Sequence, residues 1–358
     1  MGITTQILVH PAHNNNRTGR AWERCQREVL KLLAPAEVVI AETTDAAENL
    51  AKEAAMKGIR RFITVGGQNL ETGVINGLMT LAPAHRQTIQ MGQLSLSGHN
   101  DLGKTLKLPT GFEKQLEILS AGHTIPIDLG RVEWIGKDGI PQSRYFINGA
   151  GFVPGRNLSR LFSAQKKQLA KDPTQLGNSI RRSWHQLIPL VRLQVGETTL
   201  FEGRAPSVLV MGGCYYRRMG LVAPKANPHD HALDVVWLPA TQGWNRALRF
   251  LRFLIPGSRP FTGGVSARVE ALRVTCEEMA VQIEADGQLI GRLPATFSLE
   301  PKALEVIVPQ VGARVKKPVF KKLPKGSEGE LVGVPRVINL HRDLDQEMAD
   351  DTALTTTR

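Results

Sequence analysis

The chain has 358 residues, 42% hydrophobic and 22% charged, and a formal net charge of +12, a globular composition long enough for about two domains. The basic balance favours anionic partners; with aromatic residues at 5% and no nucleic-acid-reading motif, phosphate and anionic lipid are expected and nucleic acid is not. Cys25, Cys214 and Cys276 are odd in number, far apart and without Cys-x-x-Cys spacing, the pattern of reduced thiols in a cytosolic protein, and no run of about 18 apolar residues exists to form an ordinary transmembrane helix.

The first third alternates strand and helix. Apolar strands are predicted at 7–10, 38–41, 62–65 and around 89–91, and helices at 19–33, 44–57, 101–107 and 112–121, the second capped by Thr44 or Asp45. Between 61 and 81 a β-type run meets Gly66-Gly67 and polar Gln68-Asn69, then Leu70, Val74, Leu78 and Leu81 repeat at the spacing of one helix face. Such alternation predicts an α/β domain with a mostly parallel sheet, whose ligands sit beyond the carboxyl ends of its strands. Loops 10–19, 66–69 and 97–100 should meet there. They carry His10, His13 and His99, readable either as replacement acid–base or metal-binding groups or as solvated polar residues.

From about residue 124 the pattern changes. Short apolar runs at 125–129, 132–135, 145–147, 190–195, 208–211, 233–238, 268–275, 279–285 and 304–308, separated by turn residues, predict a β-sandwich or irregular barrel. Asp286-Gly287 reads as a hairpin turn in its own right. Two insertions, 157–190 and 242–261, break the rhythm; the second spaces Arg246, Arg249 and Arg252 three apart among aromatic and aliphatic residues, as an interfacial helix on anionic headgroups requires. Residues 311–358 read as a basic linker and an acidic, disordered tail. The expected domains are therefore 1–124, 125–310 and 311–358.

Several stretches, taken in order, resemble the diacylglycerol kinase and sphingosine kinase superfamily. Gly66, Gly67, Val74, Asn76, Gly77 and Leu78 match its Gly-Gly-Asp-Gly-Thr block and the helix ending in Asn-Gly-Leu; residues 94–104, with Asn100-Asp101, look like its second loop. Residues 127–130 and 144–152 are similar to the entry into its second domain, and 213–234 and 286–309 to its closing blocks. The resemblance implies a two-domain lipid-kinase-like fold, with a three-layer α/β domain before a β-sandwich. It implies ATP and Mg²⁺ as cofactors, a lipid as partner, Gly66, Gly67, Gln68, Asn69, Asn100 and Arg17 at the nucleotide, Asp286 and Gln288 at the catalytic position, and Asp230 at a divalent cation.

The departures set the functional expectation. Gln68-Asn69-Leu70 stands where the family has Asp-Gly-Thr, Gly73 where it has Glu, and Asp286-Gly287-Gln288 where it has Asp-Gly-Glu. Glutamine keeps the shape of Glu but accepts no proton near neutral pH. A helix-interior glycine at 73 costs on the order of 1 kcal/mol against Ala, so that position reads as not optimised for stability. The expectation is a pseudokinase that binds a membrane lipid with weak or lost ATP-dependent transfer; the alternative is an active lipid kinase phosphorylating a diacylglycerol- or sphingoid-type hydroxyl. With no secretory signal in the first residues, a cytoplasmic protein is expected, peripheral at the inner face of the membrane, with a protein partner if catalysis is lost.

Overall fold

A computed structural model of the chain describes residues 5–97, 100–153, 188–240, 264–276 and 281–310. These form two units, one of 5–97, 109–125 and 306–310, the other of 100–108 and the described parts of 126–305. The basic insertions, except residues 188–190 of the first, lie outside the described residues, as do Arg246, Arg249 and Arg252, His99, and 311–358.

The chain opens with β1 (Thr5–Val9), α1 (His13–Leu33), β2 (Ala36–Ile40), α2 (Thr44–Met56), β3 (Arg61–Val65), α3 (Gln68–Met79), α4 (Pro83–Arg86) and β4 (Gln90–Gln93); α5 (Asp101–Thr105) belongs to the second unit and α6 (Phe112–Ala121) to the first. β1 runs parallel to β2 and β3, and β3 to β4. All five residues of β1 are buried, as befits a central parallel strand covered on both faces. Ile7, Val9, Trp22, Ile63, Leu116 and Ile307 share one apolar cluster.

Three local expectations change. α1 starts at His13, inside the expected loop, and Asn14, Asn15 and Asn16 hold φ of 53°, 55° and 62° before the regular helix begins at Arg17. Asparagine enters this left-handed region at lower cost than most side chains, so three in a row make a left-handed turn. The cap of α2 is Thr43, one residue before the expected Thr44 or Asp45: its hydroxyl accepts the Ala46 N–H at 3.1 Å. Finally, α3 is not amphipathic, since every residue from Leu70 to Met79 is buried, which makes it a core helix.

That burial gives Gly73 a reason the sequence did not show. A Cβ at Gly73 would stand 2.5 Å from the Thr44 carbonyl oxygen and 2.9 Å from Ala47 Cβ, and one at Gly77 would stand 2.2 Å from the Glu48 carbonyl oxygen. Two glycines four apart thus let the backbone of α2 lie directly on α3, while Ala47, Ala51 and Ala54 keep the facing helix thin. The helix-interior glycine at 73 serves packing, which gives a stabilising reason to a position that reads from propensity alone as not optimised for stability.

The second unit holds β5 (Thr124–Ile135, its first two residues in the first unit), β6 (Pro141–Phe146), β7 (Gly149–Phe152), β8 (Leu190–Val195), β9 (Thr198–Arg204), β10 (Ser207–Met211), β11 (Leu233–Leu238), β12 (Val265–Val269), β13 (Ala271–Thr275), β14 (Gln282–Ala285), β15 (Gln288–Arg292) and most of β16 (Ala295–Ile307). One antiparallel sheet has the order β12-β11-β10-β7-β14-β15. Opposite it, β16, β13, β8 and β9 pair antiparallel in that order, and β5 pairs with β6. Phe146, Val210, Val235, Trp237, Leu272 and Phe297, drawn from both layers, share one core. This is a β-sandwich.

The run at 268–275 is two strands, β12 and β13, parted at Glu270, and 304–308 is the end of the long β16. β9 and β15 had no apolar run to announce them. β9, Thr-Thr-Leu-Phe-Glu-Gly-Arg, is an edge strand with no buried residue, and edge strands carry polar chemistry because one side faces water.

Candidate functional site

In the first unit, β1 and β3 end side by side, and the His10 N–H donates to the Val65 carbonyl at 2.9 Å. The Gly66-Gly67 turn follows, with Gly67 as the N-cap of α3. Gly66 lies close to His10: a Cβ on it would stand 3.1 Å from His10 Cβ. Gly67 lies under the imidazole of His13, whose Nε2 and Cδ2 would be 2.4 and 2.6 Å from a Cβ there. Only glycine admits that approach. His13 Nδ1 is 3.0 Å from Thr18 Oγ1, and Thr18 Oγ1 is 2.6 Å from Ser97 Oγ. The three expected loops therefore do meet, through His13, Gly67, Thr18 and Ser97.

The rings of His10 and His13 are 6.3 Å apart. Burial lowers both imidazole pKa values below 6.5; Glu42 partly opposes this at His10, and the neighbouring His10 lowers His13 further. Both are therefore neutral at pH 7. Of the residues expected at a nucleotide, Gln68 and Asn69 form the first turn of α3, the former half-buried and the latter exposed, and Arg17 is exposed on α1. Asn100 is the N-cap of α5, its Oδ1 accepting the Gly103 N–H at 2.7 Å.

In the second unit the β14–β15 hairpin organises the polar groups. Asp286 and Gly287 have φ of 46° and 86°, and Ala285 pairs with Gln288 across the turn, the Asp-Gly geometry of a two-residue hairpin. The Asp286 side chain points back into the sandwich. Its Oδ2 accepts the Ile147 N–H at 2.9 Å and its Oδ1 the Asn148 and Gly149 N–H groups at 2.9 and 3.2 Å. Asp286 thus holds the turn before β7, as a positioning group does. Gln288 starts β15, partly exposed.

Beside the hairpin lies a polar set that sequence reading missed. Arg217, at φ 50°, gives its backbone N–H to Asp101 Oδ2 at 2.5 Å. Its Nη1 donates to Glu284 Oε2 at 3.3 Å, and the Tyr216 hydroxyl donates to Glu284 Oε1 at 2.9 Å. Burial, together with Glu284, raises the Tyr216 pKa far above its usual value, so the phenol stays a donor. A signal for Glu284 existed in its place on β14, two residues before the Asp286-Gly287 turn. Nothing in the sequence marks Arg217, because a left-handed arginine has no local signature.

At the expected cation position the carboxylate of Asp230 is engaged by an arginine. Arg268 Nη2 forms an ion pair with Asp230 Oδ2, and among the described residues no group of three His, Cys, Asp or Glu side chains could hold an ion. Asp230, the residue expected at a divalent cation, is the ion-pair partner of Arg268. Next to it, Asp128 Oδ2 accepts the His231 N–H at 2.8 Å and Oδ1 the Lys302 N–H at 2.8 Å, with His231 Nδ1 3.0 Å from Oδ1. His229 Nδ1–H donates to the Pro126 carbonyl at 2.8 Å. Both histidines are fastening the 227–231 turn.

Known proteins of this kind supply the wider context. The family model described as the diacylglycerol kinase catalytic domain matches residues 5–132, and that of the YegS C-terminal NAD kinase beta sandwich-like domain matches 182–308. A diacylglycerol kinase of Bacillus subtilis (strain 168) is 24% identical over 281 residues, 74% of this chain and 82% of that protein. One from Mycobacterium tuberculosis (strain ATCC 25618 / H37Rv) is 25% identical over 292 residues, 77% and 85% of the two chains. The Staphylococcus carnosus (strain TM300) diacylglycerol kinase matches at 29% identity over 97 residues, 27% of this chain and 28% of that one. Among solved structures, a diacylglycerol kinase from Bacillus anthracis str. Sterne superposes with a TM-score of 0.61 at 14% identity, covering 86% of this chain and 97% of that one. Among the described residues, no helix is long and apolar enough to cross a membrane.

Proposed function

We propose that this chain, which belongs to the diacylglycerol kinase and sphingosine kinase superfamily, binds a membrane lipid and transfers phosphate from ATP to a neutral lipid hydroxyl slowly or not at all. The observation that carries this is the β14–β15 hairpin. Gln288 occupies the position of the family's general base, and the carboxylate of Asp286 is engaged by three backbone N–H groups. A neutral hydroxyl must give up its proton as it attacks phosphorus, and a positioned base contributes roughly 10²–10⁴-fold to such steps. An amide contributes none of this. In the first unit, Gln68 and Asn69 bring no carboxylate to the start of α3, and His13 covers Gly67.

On this reading ATP is the nucleotide, and Gly66, Gly67, Gln68, Asn69, Arg17 and Asn100 are its candidate contacts. The lipid and the anionic membrane surface are partners by family and by net charge. The second reading is an active kinase for diacylglycerol- or sphingoid-type hydroxyls. It is favoured by the two family models and by named kinases that match this chain over most of their length.

The test is phosphorylation of dioleoylglycerol in detergent micelles by the full chain and by Gln288→Glu, with ATP–Mg²⁺ affinity measured calorimetrically. Background turnover by the native chain and a gain of at least tenfold in the variant are expected. Fast turnover by the native chain would establish the second reading instead.

A further inference from the structure

The second unit carries two tethered cations on its surface. Arg217 stands at φ 50°, a conformation unfavourable for a side chain of this size. It is held there at both ends: its backbone N–H donates to Asp101 Oδ2 at 2.5 Å and its Nη1 to Glu284 Oε2 at 3.3 Å. The guanidinium lies over Gly287, where a Cβ would be 2.6 Å from Nε and 3.0 Å from Cζ. Lys104, on α5, is tied to the other oxygen of the same acid: its Nζ is 4.0 Å from Asp101 Oδ1 and 5.5 Å from the centre of the Tyr215 ring. All of these residues belong to the second unit.

Charge in this cluster is sorted by depth. The side chains of Asp101 and Glu284 are 1% and 3% exposed, whereas those of Lys104 and Arg217 are 43% and 40% exposed. The carboxylates are turned inward and engaged: Asp286 takes three backbone N–H groups, Glu284 the Tyr216 hydroxyl and Asp101 the Arg217 N–H. Of these groups, the ones that face water are the cations. Arg217 Nε and Nη2 donate to no residue among the described ones, and that edge of a guanidinium receives an oxyanion through two parallel hydrogen bonds. An arginine already fixed by its backbone and by one nitrogen loses little conformational freedom on taking a ligand.

We infer that the free edge of Arg217 is a binding site for a phosphomonoester, either the head group of a lipid that arrives already phosphorylated or a soluble phosphate ester. Where the source is a lipid, this rests on the proposed binding of a membrane lipid and names its head group. Arg217 takes two phosphate oxygens through Nε and Nη2, and Lys104 adds to the positive field beside it. A phosphomonoester carries a charge of about −2 at pH 7, which suits two cations better than the single charge of a carboxylate or a phosphodiester. Glu284 and Asp101 are positioning residues: they aim the cations and touch no ligand.

The experiment measures binding of the full chain to phosphatidylcholine vesicles containing dioleoylphosphatidate, dioleoylphosphatidylglycerol at matched surface charge, or dioleoylglycerol, with glycerol phosphate titrated in solution by calorimetry. Phosphatidate vesicles should be preferred to phosphatidylglycerol vesicles by about tenfold, the order expected of charge-assisted hydrogen bonds. The preference should fade below about pH 6, where the phosphomonoester dianion takes up a proton. Arg217→Met should remove the preference, and Arg217→Lys, which keeps the charge without the fork, should retain part of it. Arg217→Met also strips Glu284 of its cation; Lys104→Met leaves Glu284 untouched and should still weaken phosphatidate binding severalfold. Affinity for phosphatidate without affinity for glycerol phosphate assigns the ligand to a lipid, and comparable affinity for both assigns it to a soluble ester. Equal binding to the two anionic vesicles, or a preference that survives Arg217→Met, overturns the site and leaves lipid binding intact. Binding to none of the vesicles and no response to glycerol phosphate overturns both.

Discussion

The carboxylate of Asp286 and the backbone N–H of Asn148 meet at 2.9 Å across 138 residues of chain. The same carboxylate also takes the N–H groups of Ile147 and Gly149, and the Asp286 N–H returns a bond to the Gly149 carbonyl at 2.9 Å. One side chain therefore sets both the hairpin and the turn leading into β7. Asp286→Ala should leave three buried donors unsatisfied and destabilise the chain by about 3 kcal/mol or more. Urea unfolding of the variant checks this; an unchanged midpoint would mean that the turn at 147–149 is held by other contacts.

Gly77 is the closest approach of α3 to α2. Gly77→Ala drives a methyl group into the Glu48 carbonyl, 2.2 Å away, and is expected to destabilise by roughly 1–3 kcal/mol, although alanine has the higher helix propensity by about 1 kcal/mol. Denaturation of the variant decides which effect wins, because the two have opposite signs.

His13 covers Gly67, and a ligand approaching the start of α3 must displace it. His13→Ala is expected to tighten ATP–Mg²⁺ binding severalfold, equivalent to about 1 kcal/mol, in calorimetric titration. Unaltered or weaker affinity would show that the imidazole contributes contacts to the nucleotide in place of blocking it.

The two imidazoles also set a pH response. Burial depresses the folded-state pKa of both His10 and His13 below 6.5, so the unfolded chain binds more protons as pH falls past that value. Their contribution to stability is present above about pH 6.5 and is lost as pH falls through the depressed folded values. The thermal midpoint should drop between about pH 7 and pH 5, and the double variant His10→Gln, His13→Gln should flatten that drop. A parallel drop in the variant would assign the response to other groups.

Arg268 neutralises Asp230 where a cation was expected. Chelation of divalent ions should therefore leave the thermal midpoint of the protein unchanged, and Arg268→Met should lower it by no more than about 1 kcal/mol equivalent, since the pair is partly exposed to solvent. A midpoint that falls on adding chelator to the native chain would return a metal to the protein.

Much of the architecture was legible because it is written locally. Strand–helix alternation through residue 121 and the Gly66-Gly67 turn before a helix each need only a few adjacent residues, and so does the Asp286-Gly287 turn. Exposed edge strands such as β9 escaped because their polar residues resemble those of loops. The burial of α3 on every side from Leu70 onward escaped because Glu71, Thr72 and Asn76 look like a solvent face.

What the sequence by itself determined is the order of elements, the glycines that permit close approach, and the amide of Gln288 beside the Asp286-Gly287 turn. Those follow from the intrinsic chemistry and backbone freedom of single residues. Only the tertiary structure decided that His13 lies on Gly67, that Arg268 takes Asp230, that Asp286 faces inward, and that Arg217 is aimed over Gly287 by Glu284 and Asp101. Most of these pairs are separated by tens to more than a hundred positions, and strand register and turn handedness, not local preference, bring them within hydrogen-bond distance.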